Sequence, residues 1–257
     1  MALLRALRSL AGVLGCLAFL GLVAPLSLYL VVVPWIAIQP SRLIEIGSAW
    51  VTWVAKCLVA LCRLGGARIQ IEGHINCDEP AVVIMNHQSV IEVAPLIYIF
   101  RKRLPRFVAR ARYARWIPTV SRAIRYLDCI VVDPKRDRAG AVAAMKRAAA
   151  QGLKHAVMLF PEGHRTLDGE IRDFRPAGTI ALLQSGPMPV YVVVGDGFWK
   201  LRRVVDSLFG LGSVRGRIRV VECVMSPQNP DDLPAFVEER RQVMIRELAR
   251  MRSEAAA

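Results

Sequence analysis

The chain has 257 residues, of which 54% are hydrophobic, and its 35 Lys and Arg against 21 Asp and Glu leave a net charge of +14. With a mean hydropathy of +0.36, these figures exclude a disordered or fibrous chain, demand an anionic partner and place part of the protein against lipid. The length suits one α/β domain of about 200 residues plus an appendage. Six cysteines, at positions 16, 57, 62, 77, 129 and 223, sit in apolar surroundings without a C-x-x-C pair. They read as reduced thiols, which favours the cytosolic side of a membrane.

No charged residue occurs between Arg8 and Arg42. The run is more than twice as long as a secretory signal's apolar core, so it predicts a retained membrane segment. Pro25 and Pro34 are expected to break it. Two geometries follow: a single kinked span, or a re-entrant helical hairpin with both ends on one side. Arg5 and Arg8 before the run, and Arg42, Lys56, Arg63 and Arg68 after it, pull both flanks toward the cytoplasm and favour the hairpin. Residues 43–64, with sparse charge and two tryptophans, predict an interfacial helix, against the alternative of a buried core helix.

After Gly65-Gly66 the texture changes, and a globular domain is predicted over 65–257, with 1–64 as its membrane anchor. Strands are predicted at 67–73, 81–86, 106–110, 128–133, 155–160, 189–194 and 217–224, and helices at 90–101, 138–152, 177–185 and 232–252. The alternation predicts an α/β fold, a mixed sheet covered by helices. Residues 196–216 predict a loop or a lipid-facing excursion.

Two constellations carry chemistry. Asn86-His87-Gln88-Ser89-Val90-Ile91-Glu92 follows the apolar strand AVVIM. His87 and Glu92 diverge on a regular helix and meet only if His87 lies in the turn before it. There the imidazole can take a proton from a hydroxyl while the carboxylate orients the ring. The same residues also fit an S-x-x-E capping box, in which Glu92 only returns to the backbone. Phe160-Pro161-Glu162-Gly163-His164-Arg165-Thr166 follows a second apolar strand. Its arginine suits bidentate binding of phosphate, and Gly163 permits close backbone approach, against the plainer reading of a polar turn. Between them, residues 101–125 hold nine cations and no acid. Without a nucleic-acid-binding signature, and beside an apolar anchor, that charge points to phospholipid headgroups and not to nucleic acid. No metal-ligand set or cofactor fingerprint stands out. Gly195-Asp196-Gly197 lacks the glycine spacing of a dinucleotide loop.

The pairing of NHQSVIE with FPEGHRT, in that order and each after a strand, resembles the 1-acylglycerol-3-phosphate (lysophosphatidic acid) acyltransferase family of membrane-bound glycerolipid acyltransferases. The resemblance covers roughly residues 65–225. It implies transfer of a fatty acyl group from acyl-CoA or acyl-carrier protein to a lysophospholipid acceptor, giving phosphatidic acid, without a cofactor or metal. It implies His87 as general base, Glu92 as the acid orienting it, and Glu162, Gly163 and Arg165 at the acceptor's phosphate. Arg110 in FVARARYARWIP and Arg175 in DFRPAG fall at further basic positions of the family's binding site. Location at the cytoplasmic membrane, with the catalytic domain facing the cytoplasm, follows. The sequence departs from the family pattern at Glu92, where most members carry Asp, at His164 for the common Thr, at Pro134 for an expected Arg, and at Val192 for a second Pro. These departures bear on acceptor identity. The alternatives are an acyltransferase for another lysolipid or glycerol 3-phosphate, and a non-catalytic protein that binds anionic lipid.

Overall fold

The computed structural model describes residues 2–256 except 77, 102, 117, 152, 154 and 200–209. The chain opens with helices α1 (Ala2–Ala18), α2 (Ala24–Ser27) and α3 (Val33–Ile38), joined by π-helical turns at Phe19–Val23 and Leu28–Val32. Together they form one apolar helix, Leu3–Ile38, of 36 residues. The expected breaks at Pro25 and Pro34 do not occur, for a local reason. Each proline lacks the N–H that a regular α-helix would donate four residues back, to Gly21 and Leu30. Both acceptors lie within the π turns, where the ladder shifts to five residues, as in Ala24 N–H to Phe19 and Val33 N–H to Leu28.

The chain reverses at Gln39, whose φ of −130° and ψ of 68° end the helix, and α4 (Leu43–Leu64) returns antiparallel. Trp50 Nε1 donates to Ser27 Oγ at 3.1 Å, and the Cys16 and Cys62 sulfurs stand 4.0 Å apart. Nearer the hairpin's open end the backbones touch, and a Cβ on Gly12 would lie 2.6 Å from Gly65 Cα. A hairpin thus forms, but its second arm is α4 and not the stretch beyond Pro25. Helix α4 is part of the core along one face. Its Ala55, Val59 and Cys62 enter the main core with Met85 and Met158, while Trp53 is exposed. Of 22 exposed large apolar side chains among the described residues, 16 lie between Leu3 and Leu64, so the hairpin carries the protein's lipid-compatible surface.

The remaining chain forms a mixed sheet. Its strands are β1 (Arg68–Glu72), β3 (Val82–Met85), β5 (Arg106–Arg110), β6 (Ile130–Val132), β7 (Val157–Leu159), β8 (Pro189–Asp196) and β9 (Arg215–Met225), in the order β1-β9-β8-β3-β7-β5-β6. Neighbours are parallel except β8 and β9. Every residue of β3 is fully buried, because the strand is covered on both faces: Val83 and Met85 point toward α4, Val82 and Ile84 toward the opposite layer. Each such aliphatic side chain contributes about 1.5–3 kcal/mol by leaving water. The opposite layer is α8 (Arg138–Ala150), α9 (Pro176–Leu183) and the C-terminal α10 (Leu233–Ala256).

Three features depart from the sequence reading. The helix predicted over 90–101 is cut to α5 (Val93–Leu96) and a 3-10 turn, followed by β4 (Phe100–Arg101), which pairs with β2 (Ile75–Asn76). Pro95 and the β-branched Ile97 and Ile99 disfavour a longer helix. The basic run contains α6 (Tyr113–Trp116) and α7 (Pro118–Tyr126), which the sequence reading did not resolve. Of the loop predicted at 196–216, residues 200–209 lie outside the described residues, a 3-10 turn spans Leu211–Ser213, and the edges belong to β8 and β9.

Candidate active site

Strands β8, β3, β7 and β5 are adjacent and parallel, so their carboxyl ends open on one edge of the sheet. Asp196, His87, the 160–165 turn and Arg110 all leave from that edge, where ligand sites of open α/β sheets collect. The two sequence constellations, some seventy residues apart, are thereby brought together.

His87 lies outside regular structure, in the segment before α5, as its pairing with Glu92 requires. Its Nδ1 is 2.5 Å from Glu92 Oε1. Glu92 is fully buried and also accepts the Gln88 N–H on both oxygens at 3.0 Å and the Ser89 N–H at 3.1 Å. The capping interaction and the histidine-acid pair therefore coexist in one carboxylate. Burial pushes Glu92 above the usual carboxylate range, against the opposing pull of His87 and the two N–H groups. With Nδ1 turned to this carboxylate, the tautomer protonated at Nδ1 leaves the Nε2 lone pair open. The ring is stacked on Phe160, with centroids 4.1 Å apart.

Glu162 is placed beneath the histidine. Its Oε1 accepts the His87 N–H at 2.7 Å and its Oε2 the Arg172 N–H at 3.0 Å, and the residue is buried. Both oxygens are on backbone N–H groups, so the contacts seen for Glu162 tie the His87 segment to the Arg172 segment. Burial raises it to about 7. The Thr166 N–H donates to the His87 carbonyl at 2.8 Å, so the peptide groups on both sides of His87 are pinned to the 160–170 segment.

Around Gly163 the charges converge. Arg110 donates through Nη2 to the Gly163 carbonyl. Gly163 has φ of +70°, and a Cβ there would meet Arg175 Cδ at 3.1 Å, so glycine allows Arg175 to lie against the turn. Arg175 is fixed by its own N–H to the Pro161 carbonyl at 2.8 Å. Burial, then Arg112, with smaller contributions from Arg165 and Arg175, holds Arg110 below its ordinary value. His164 is lowered by burial and by Arg175, Arg110 and Arg172. An arginine held down by burial and by neighbouring arginines marks a site that gains from an anion.

Four residues with structural roles here were not singled out by sequence reasoning. Asn86 exchanges two hydrogen bonds with the Gly195 backbone, at 2.9 and 2.7 Å, extending the β3–β8 ladder by a side chain. Gln88, Asp196 and Arg252 interlock behind His87. Asn86 and Gln88 lay within the motif; Arg252, on an ordinary charged helix, carried no signal.

Residues 68–194 match the family model described as Acyltransferase. The chain is 26% identical over 193 residues to the 1-acyl-sn-glycerol-3-phosphate acyltransferase alpha of Bos taurus, covering 73% of this chain and 65% of that protein. It is 25% identical over 154 residues to the 1-acyl-sn-glycerol-3-phosphate acyltransferase of Borreliella burgdorferi, covering 59% and 61%. The chain thus aligns with somewhat under two thirds of these relatives' length. Its fold is that of the crystal structure of the 1-acyl-sn-glycerophosphate (LPA) acyltransferase PlsC from Thermotoga maritima, with a TM-score of 0.69, 18% identity and 98% of each chain covered. Residues 68–194, about half of the chain, thus match the Acyltransferase family model, and the chain as a whole shares its fold with that structure.

Proposed function

We propose that this protein transfers a fatty acyl group from a thioester to the free hydroxyl of 1-acylglycerol 3-phosphate, giving phosphatidic acid. The observation that carries this reading is the 2.5 Å pairing of His87 with buried Glu92 beside a cluster of arginines. His87 Nε2 takes the hydroxyl proton as the oxygen attacks the thioester carbonyl, and Glu92 stabilises the imidazolium that forms. The tetrahedral intermediate collapses with loss of the thiolate, which recovers the proton from His87, so no group on the protein is consumed. The donor is acyl-CoA or acyl-carrier protein, each of which presents the same thioester to this mechanism. Arg110, Arg165 and Arg175 hold the acceptor's phosphate, and Gly163 lets it approach the backbone.

The anchor hairpin, residues 1–64, sits in the cytoplasmic leaflet, with the catalytic part, residues 65–257, facing the cytoplasm. Arg8 Nη2 lies 3.4 Å from the Leu64 carbonyl, so the two ends of the hairpin meet, which supports a re-entrant arrangement. An acceptor lipid then reaches the site without leaving the bilayer, avoiding a cost of about 0.8 kcal/mol per methylene.

The test is transfer of a labelled acyl group from acyl-CoA to 1-acylglycerol 3-phosphate by detergent-purified protein, with His87→Ala as the comparison. Transfer by the wild type and its loss in the variant supports the reading. A wild type silent with both donors but active on another lysolipid reassigns the acceptor.

A further inference from the structure

Gln88 follows the histidine and is completely buried. Its side-chain amide is used at each end: Nε2 donates to the Gly169 carbonyl at 3.3 Å and to Asp196 Oδ1 at 3.2 Å, and Oε1 accepts the Phe198 N–H at 3.0 Å. Arg252 arrives from the last turns of α10 at the same two acceptors. It donates through Nη2 to the Gly169 carbonyl at 2.8 Å and to Asp196 Oδ1 at 3.4 Å, through Nε to Asp196 Oδ2 at 3.3 Å, and through Nη1 to Glu170 Oε1 at 2.5 Å. Gly169 suits this convergence in two ways. Its φ is +91°, and a Cβ would stand 2.8 Å from the Trp199 ring and 3.0 Å from Arg252 Nη2. The Gln88 N–H, meanwhile, is held by the carboxylate that holds His87 Nδ1. The peptide after the histidine is therefore fixed by Glu92 from its backbone and by Asp196 and Gly169 from its side chain.

We infer that Arg252 and Asp196 are positioning residues for His87: the C-terminal helix closes the back of the site and sets the histidine through Gln88. Neither touches the reacting atoms. Removing Arg252 leaves Asp196 as a part-buried carboxylate with only the Gln88 amide among these partners, so the amide keeps the Gly169 carbonyl and the Phe198 N–H but loses the fixed position of its acidic partner. A loosened His87 loses rate more than acceptor affinity, because the arginines at Gly163 are held by other bonds. This inference rests on His87 acting as the base in acyl transfer.

The experiment compares Arg252→Ala and Arg252→Lys with Arg217→Ala in the full chain in detergent, measuring kcat, acceptor KM, thermal unfolding and the ring resonances of labelled histidine. Arg217 is the control because it ties the same helix, through the Met251 carbonyl and Glu254, without reaching Gln88. The expected result is a kcat about tenfold lower in Arg252→Ala with KM within about twofold, partial recovery in Arg252→Lys, and a shifted His87 resonance, while Arg217→Ala keeps kcat and the resonance at the same loss of melting temperature. Equal losses of kcat in Arg252→Ala and Arg217→Ala, or an unmoved His87 resonance, overturn it. Should Arg252→Ala not fold, Arg252→Lys and Asp196→Asn carry the same comparison. The resonance needs no substrate, so failure of the proposed reaction is seen separately, as a wild type that transfers nothing.

Discussion

The backbone N–H of His87 donates to Glu162 Oε1 at 2.7 Å, so the acid of the second motif holds the histidine of the first by its main chain. Since Oε2 takes the Arg172 N–H, Glu162 is a clamp between two loops. Its ionisation is predicted to be visible in stability. Burial raises it from the ordinary 4.5 to about 7, so the native state holds the proton more tightly than the unfolded chain. Stability then falls as pH rises through that window. Glu162→Gln does not titrate and lacks this slope. The wild type's stability relative to Glu162→Gln is expected to decline by up to roughly 3 kcal/mol between pH 4.5 and 7. Thermal unfolding of the two proteins side by side measures it, and a wild-type advantage that grows over the window contradicts the raised value.

Glu92 differs from Glu162 because it meets the imidazole as well as the backbone. Glu92→Gln keeps an oxygen for the Gln88 and Ser89 N–H groups but gives no charge to the imidazolium. A loss of roughly 10²–10⁴-fold in kcat is expected with a smaller effect on melting temperature. Glu92→Ala also orphans the two N–H groups, and its melting temperature is expected to fall well below that of Glu92→Gln. Steady-state rates and melting curves of both variants separate the two duties of this carboxylate. If the variants retain wild-type rates, the histidine-acid mechanism is wrong.

The sheet was legible because apolar runs of strand length alternate with helical stretches: all seven predicted strands exist, and β5 matches residue for residue. The pairing of His87 with Glu92 was also legible, since five-residue spacing leaves one geometry in which they meet. What stayed hidden depends on contacts far apart in the chain. The meeting of Gln88 with Arg252 is tertiary, and no local pattern on a charged helix announces it. The prolines misled for a related reason. A proline reads as a helix break, yet a π turn shifting the ladder by one residue absorbs it, and the exposed, lipid-compatible surroundings of Leu22 and Leu30 leave room for the bulge.

The arginine cluster predicts a dependence on acceptor concentration. Arg175→Ala removes a cation lying over Gly163 without touching the His87–Glu92 pair. Acceptor KM is expected to rise about tenfold, kcat to change little, and Arg175→Lys to recover only part, because a point charge replaces a bidentate fork. Gly163→Ala is expected to act in the same direction and to destabilise the protein by about 1–2 kcal/mol, since its φ of +70° disfavours a side chain and its Cβ meets Arg175. Initial rates over a range of acceptor concentrations test both. A fall in kcat at unchanged KM would move these residues from binding to chemistry.

The outward face of the hairpin makes the last prediction. Leu30 and Leu22 are 71% and 59% exposed on the continuous first helix, so a charge at either position costs the fold itself little. In a bilayer the same charge is expensive, about 2.5–3.5 kcal/mol per residue at the centre of the apolar region. Leu22→Asp combined with Leu30→Asp is therefore expected to lower partition into phospholipid vesicles by at least about 10³-fold while leaving the melting temperature in detergent nearly unchanged. Flotation on a density gradient reads the first quantity and thermal unfolding the second. Activity toward acceptor dispersed in detergent should persist, because neither residue lies near His87, whereas activity toward acceptor in vesicles should fall with binding. Vesicle binding that survives both charges would mean that the hairpin's outer face does not meet lipid and that the basic run between residues 101 and 125 holds the protein at the surface instead.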